Sequence, residues 1–327
     1  MPNQPMTDTD IATGMNEIAA GTIVSHDMRE AQQPASHTSV QPTKNKRKQT
    51  ERFMTQLGLI LVCIGFIVPF LWMVSTSLKA LENTMMIPPQ IIPNPAQPEN
   101  YWKALTSEKM DFPLYSRNTL IIAVLSVLGT VISSSIVAYG FAKINFKGRN
   151  ILFAAMLGTM MIPFPVMMVS LFAIFRWLGD NTGMPWLGTF KPLWVPAWFA
   201  SAFNVFLLRQ FFLTIPEELS ESAKLDGCSD WGIFTRIILP LARPALSVVA
   251  LFTFMGSWND FLGPLVYIQN QDQFTLGLGL QNFQSQQGGT EWNILMAASV
   301  LVLLPVILLF FLAQKQFIQG IATTGLK

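Results

Sequence analysis

The sequence predicts an all-α polytopic membrane protein with six transmembrane helices and a charged cytoplasmic loop between the fourth and fifth. Three observations predict it. The 327 residues are 51% hydrophobic and only 12% charged, with a mean hydropathy of +0.40, whereas soluble domains carry a charged fraction of about 25%. Asp, Glu, Lys and Arg are absent from 53–78, 118–142, 150–175, 192–208 and 292–314, and 244–271 holds only Asp260. A helix needs about 20 apolar residues to cross a hydrocarbon core about 30 Å thick. The 192–208 run is short at 17 residues, but its apolar pattern continues past Arg209 through Phe211 and Leu213. Basic residues divide unevenly between the two sides: fourteen fall on the side of the N-terminus, from Lys44 to Lys327, and six on the other, Lys79, Lys103, Lys109, Arg117, Arg176 and Lys191. Lys and Arg concentrate on the cytoplasmic side, so both termini are expected there.

Residues 1–53 read as a disordered cytoplasmic tail ending in the basic cluster 44–52, and 54–327 as the membrane domain. The tail has no apolar core of signal-peptide length. Span one covers about 55–78, with Pro69 as a kink. The outer segment 79–116 contains IPPQIIPNPAQPENYWKAL, whose five prolines favour extended backbone. Tyr101, Trp102 and Trp72 suit an interfacial position. Span two, 118–142, leads into the basic loop AYGFAKINFKGRN. Span three, 151–175, contains MMIPFPVMM, where Pro163 and Pro165 break helical hydrogen bonding. Such breaks are tolerated where neighbouring helices or a water-lined cavity satisfy the freed groups; a packing kink and a pathway-lining role are both open. Span four covers 192–213, span five 244–268 and span six 292–314.

Catalytic chemistry is missing from the sequence. His26 and His37 are the only histidines and both lie in the tail; there is no HExxH, paired CxxC or GxxxxGK[ST] phosphate loop. Cys63 lies inside span one and Cys228 in a loop, a placement that excludes a disulfide framework. The basic residues flank spans rather than forming one patch, which argues against nucleic acid. An ion gradient or a partner must supply the energy for any transport.

The loop 214–240 reads as two short helices. Pro216 fits a first helical position, with Glu217 and Glu218 at the positive end of the dipole. Leu219, Ser222, Ala223 and Asp226 recur at i, i+3, i+4 and i+7, and small residues at 222 and 223 let another surface approach closely. Gly227 accepts the positive φ that ends a helix. Ser229 or Asp230 can cap a second helix whose Ile233, Phe234, Ile237 and Ile238 form one apolar seam, stopped at Pro240. Trp231 and Phe234 either pack on the chain's own membrane domain or fill a groove on a partner.

Glu221, Ala223, Gly227, Ile237, Leu239 and Pro240 match the EAA-x3-G-x9-I-x-LP motif of ABC importer permeases with every spacing kept, Ser222 replacing the middle alanine. Across about 54–327 the chain resembles the carbohydrate-type, maltose-like permease subunit, through NTLIIA at 118, AYGFAKINFKGRN at 138, FNVFLLRQFF at 203 and IPEELSESAKLDG at 215. WNDFLGPLV at 258, LGLQNF at 278, WNILMAAS at 292 and the ending FIQGIATTGLK extend it. The resemblance implies a six-span subunit of a bacterial inner-membrane importer that moves a sugar or oligosaccharide by alternating access. Its loop would be a coupling helix docked on a cytoplasmic ATPase dimer, which binds ATP and Mg; this chain would bind no cofactor. Glu221 and Asp226 would supply charge contacts, Ala223 close approach and Gly227 the turn. A second, different permease subunit and an extracytoplasmic sugar-binding protein complete the implied assembly. The final outer loop, QNQDQFTLGLGLQNFQSQQGGTE, lacks Lys and Arg and would meet that binding protein.

Sugar sites combine aromatic faces with amide and hydroxyl partners. Trp258, Asn259 and Asp260 are therefore the first candidates for the pathway, with Pro163 and Pro165 behind them; packing or gating is the alternative. Asp260 also carries a second functional reading, an ion-coupled transporter or channel, because intramembrane carboxylates are costly and usually functional.

Overall fold

The computed structural model describes the backbone of residues 46–284 and 289–324 and the side chains of 51–284 and 289–314; the tail before Lys46 and part of the final outer loop lie outside them. Every regular element among the described residues is helical. The chain divides into two units, Met1–Leu61 and Val62–Lys327. The described part of the first is the leading portion of α1 (Lys46–Ser77), which begins inside the basic cluster and contains Pro69.

The second unit continues α1 and adds α2 (Glu99–Leu105), α3 (Phe112–Lys143), α4 (Arg149–Thr159), α5 (Phe164–Thr182), α6 (Lys191–Trp194), α7 (Ala202–Thr214), α8 (Glu217–Leu225), α9 (Asp230–Ile233), α10 (Leu239–Leu241), α11 (Arg243–Trp258), α12 (Leu262–Tyr267), α13 (Leu276–Leu280) and α14 (Trp292–Thr324). Three stretches are long and apolar enough to cross a membrane unbroken: Glu51–Ser77, Phe112–Lys143 and Trp292–Gln314. Three bent helix pairs meet the same test together: Arg149–Thr159 with Phe164–Thr182 at 97°, Lys191–Thr214 with Glu217–Leu225 at 74°, and Asp230–Leu241 with Arg243–Trp258 at 78°. The number of spans is therefore three to six.

Helix α3 is the centre of the bundle and packs against α7 and α11. Its start is fixed locally: Asp111 accepts a hydrogen bond from the Leu114 amide at 3.0 Å, and Pro113 lies in the first turn. Asn118, Ile122, Ser126, Thr130, Ser134 and Ala138, each four residues after the last, are all buried along one side of the helix. One apolar core joins the C-terminal end of α3 to α7, the loop helices and the start of α11. A second joins Tyr115, near the other end of α3, to Trp258, Leu276 and α14. The final outer loop is tied to α3 by the Asn118 amide, which donates to the carbonyls of Asp272 and Phe274 at 2.9 and 3.0 Å.

Span three breaks where its two prolines predict, whereas spans four and five differ from the continuous helices expected. Pro163, extended at ψ 138°, and Pro165 in the first turn of α5 turn span three sharply. Span four is interrupted where Ala200 adopts φ +62°. Span five ends as a helix at Trp258, and α12 restarts at Leu262. The outer segment also departs from extended backbone, because 99–105 contains no proline and Glu99 favours a helix start.

A buried polar hub holds that outer segment. Asn100, fully buried, donates from Nδ2 to the carbonyls of Ser77 and Lys79, both at 2.9 Å, and its Oδ1 accepts from Asn293 at 3.3 Å. One side chain thus joins the end of α1 to α2 and α14. Lys79 is 1% exposed with its ammonium 4.2 Å above the Trp72 ring, and burial holds its pKa below the ordinary lysine value. Asn100→Ala leaves two carbonyls without their donor, at about 1–3 kcal/mol for each unsatisfied buried group. The thermal unfolding midpoint in detergent should fall by several degrees; an unchanged midpoint refutes the hub.

Candidate functional site

The loop between α7 and α11 assembles from local rules. Pro216 (φ −53°, ψ 139°) stands just before α8 as its N-cap, one position earlier than its spacing suggested, and Glu217 and Glu218 occupy the first turn. The helix ends in a Schellman turn: the Cys228 amide donates to the Ala223 carbonyl at 2.9 Å and the Gly227 amide to the Lys224 carbonyl at 3.0 Å. This turn requires the left-handed conformation at Gly227, φ +82°. Ser229 then caps α9, its Oγ accepting from the Gly232 amide at 3.2 Å. Lys224 and Asp230 bridge the turn at 3.2 Å. Both are more than half exposed, so the pair contributes at most about 1 kcal/mol.

Beyond α9 the helix passes through a π-helical turn, Phe234–Ile238, into α10. Ile233, Phe234 and Ile238 are buried, and Ile237 packs against the same core, so the expected seam exists. Its partner is the chain itself: Tyr139 of α3 stacks obliquely on Phe234 at 5.0 Å and donates from its hydroxyl to the Asp230 carbonyl at 3.1 Å. Phe234 is therefore not displayed, whereas Trp231 is 62% exposed. Ala223 also faces inward, into the core containing Val205 and Phe212. Leu239 is half-buried and Pro240 exposed; the chain turns at Ala242 into α11.

Two cations brace the junction. Lys143 donates to the Ile215 carbonyl at 2.7 Å, tying the end of α3 to the end of α7. Arg209 donates to the Phe141 carbonyl at 3.2 Å with its guanidinium 4.2 Å from the Phe153 ring. The outward face of α8 is what remains: Glu217, Glu218, Glu221, Ser222, Lys224 and Asp226 are exposed, and Leu225 is 90% exposed beside the turn. Leu225 has no signal in the motif spacing; an apolar residue at the last position of a charged helix, outside its apolar stripe, was the available clue.

The mid-span candidates are held by local bonds. Trp258 is buried, stacked on Phe254 at 5.3 Å, and donates from Nε1 to the Val302 carbonyl at 3.1 Å. Asn259 is exposed and donates to the Met255 carbonyl at 2.9 Å, closing α11. Asp260 accepts from the Gly263 amide at 3.1 Å, capping the start of α12. Pro163 and Pro165 are exposed at the bend of span three and belong to neither apolar core.

A break that sequence analysis missed lies in span four. Ser133 accepts from the Ala200 amide at 3.0 Å and donates to the Gly129 carbonyl at 2.7 Å, while Ser134 accepts from the Ser201 amide at 3.3 Å. Trp198 donates to the Leu125 carbonyl at 3.1 Å. The two amide–serine bonds satisfy backbone that leaves the helix in span four. The run SSS at 133–135 inside an apolar span was the signal.

The family model described as binding-protein-dependent transport system inner membrane component matches residues 130–323. The arabinooligosaccharides transport system permease protein AraQ of Bacillus subtilis is 37% identical over 210 residues, covering 64% of this chain and 72% of that protein. The trehalose/maltose transport system permease protein MalG of Thermococcus litoralis is 33% identical over 279 residues, 85% of this chain and 97% of that protein. Among solved structures, a bacterial ABC transporter involved in alginate import superposes with a TM-score of 0.68 at 21% identity, over 84% of this chain and 98% of the other. That likeness establishes the fold.

Proposed function

This chain belongs to the family of binding-protein-dependent transport system inner membrane components, and we propose that it is the six-span subunit of an ATP-driven importer of a sugar or oligosaccharide. The observation that carries the reading is the loop 217–240, whose α8 keeps its charged face free while Ala223 and the 233–238 seam anchor it to the chain's own core. A helix rigidly fixed on one side and unsatisfied on the other suits a joint that transmits movement. In this role α8 docks on a cytoplasmic ATPase dimer that holds ATP and Mg. Glu221 and Asp226 make charge contacts, Leu225 and Trp231 add apolar ones, and Ser222 leaves room for approach. Leu239 and Pro240 carry the movement into α11.

Both termini then lie in the cytoplasm, a second permease subunit completes the pathway, and an extracytoplasmic binding protein delivers the sugar. The sugar class rests on the relatives, which include permeases for arabinooligosaccharides and for trehalose and maltose.

An ion-coupled mechanism through Asp260 finds little support, because its carboxylate caps α12. Uptake of labelled sugar by cells carrying the complete system should collapse on ATP depletion and persist with an ionophore. Asp260→Asn should keep uptake within about threefold, since the amide oxygen still accepts from Gly263; an uncompensated buried donor costs about 1–3 kcal/mol. Uptake that survives ATP depletion but fails with the ionophore overturns the proposal.

A further inference from the structure

Helices α3 and α11 run antiparallel: the C-terminal end of α3 shares a core with the start of α11, and the other ends meet at Tyr115 and Trp258. Between the middle of α3 and the first half of α11 their surfaces part to leave an apolar cleft of about 390 Å³. Val127, Leu128, Val131 and Ile132 form one wall, Leu246 and Ala250 the other, and Arg243 stands at its end with Ser247. From Arg243 to Ala250 is seven residues of helix, about 10 Å at 1.5 Å per residue.

Arg243 is exposed, and among the described residues its guanidinium makes no ion pair or hydrogen bond. It also opens α11, placing a cation at the positive end of a 16-residue helix. That arrangement favours an anion placed against both. The adjoining cleft is almost wholly apolar, so the ligand must join an anionic head to a hydrocarbon chain.

We propose that the cleft binds one anionic phospholipid, its phosphate on Arg243 and an acyl chain lying along Val127–Ile132. Basic pockets between membrane helices are known recognition sites for such head groups. The site lies apart from the ATPase-facing surface of α8 and does not depend on the sugar reading.

The test uses the full-length chain in neutral detergent, offered phosphatidylglycerol and phosphatidylcholine with identical acyl chains, with retained lipid counted by native mass spectrometry. Phosphatidylglycerol should be retained about fivefold over phosphatidylcholine, the equivalent of ~1 kcal/mol for one basic side chain at an anionic head group. Arg243→Gln should abolish the preference and Arg243→Lys preserve it, while Lys147→Gln leaves it unchanged. Ala250→Phe should displace both lipids by filling the cleft; if that variant does not fold, the Gln and Lys pair decides. Equal retention of the two lipids, or a preference that survives Arg243→Gln, overturns the proposal. So does efficient crosslinking of Leu246→Cys to a second permease subunit, which would make the occupant protein.

Discussion

Gly227→Leu is expected to lower substrate uptake at least tenfold while the chain still reaches the membrane at wild-type levels. The two effects separate because of how Gly227 is placed. No heavy atom lies within 4 Å of a Cβ built there, so a side chain meets no clash within this chain. The direct cost is conformational: φ +82° is disfavoured for residues with a Cβ by roughly 1–2 kcal/mol. The turn can relieve that strain by swinging to negative φ, which breaks the bond from Cys228 to the Ala223 carbonyl and turns α8 away from α9. A joint between two states works through differential contacts, and losing 1.4 kcal/mol of coupling is a tenfold effect. Gly227→Asn, which tolerates the left-handed region, should retain more uptake than Gly227→Ala, and Gly227→Val should retain least. Uptake measured beside membrane abundance tests this; a Leu variant that transports at the wild-type rate removes Gly227 from the coupling role.

The same loop shows which parts of the structure were legible in the sequence. The Schellman turn at Gly227 and a cap at Ser229 or Asp230 depend on residues a few positions apart, so the sequence located them, and the structure places the cap on Ser229. The direction in which each helix faces was not legible, because it depends on distant partners. Ala223 looks like a residue kept small for an incoming protein, yet it packs into a core that includes Val205 and Phe212. For Phe234 the sequence leaves open whether it packs on its own domain or in a partner's groove; Tyr139, far away in sequence, packs against it and turns it inward. Asp260 reads as an isolated intramembrane charge, but the break after Trp258 gives its carboxylate an amide to accept from. The interruption at Ala200 was hidden for the same reason: its bonds come from Ser133 and Ser134, on another helix. Apolar composition identifies a span; whether that span stays continuous depends on the neighbour that satisfies its backbone.

That dependence makes Gly129 a sensitive packing position. A Cβ built at Gly129 lies 2.5 Å from Nε1 and 2.6 Å from Cγ of Trp198, inside van der Waals contact. The indole cannot yield easily, because it is rigid and its Nε1 is bonded to the Leu125 carbonyl on the same helix as Gly129. Its neighbour Trp194 packs edge-on at 6.4 Å, and two residues later the backbone takes the strained Ala200 conformation held by Ser133. Gly129→Ala must therefore displace the tryptophan and disturb the whole interruption. Overpacking costs about 1–3 kcal/mol, and losing the indole bond adds about 1 kcal/mol. The expected result is a clear fall in the thermal midpoint and poor recovery of folded protein. Trp198→Leu destabilises in its own right by leaving space and removing the bond, but it also clears room for the new methyl. In the double variant the two penalties should not add, falling short of their sum by about 0.5–3 kcal/mol, as for residues in direct contact. A Gly129→Ala protein with a wild-type midpoint, or strict additivity with Trp198→Leu, would show that the tryptophan is not seated against α3. The interruption in span four would then need another support.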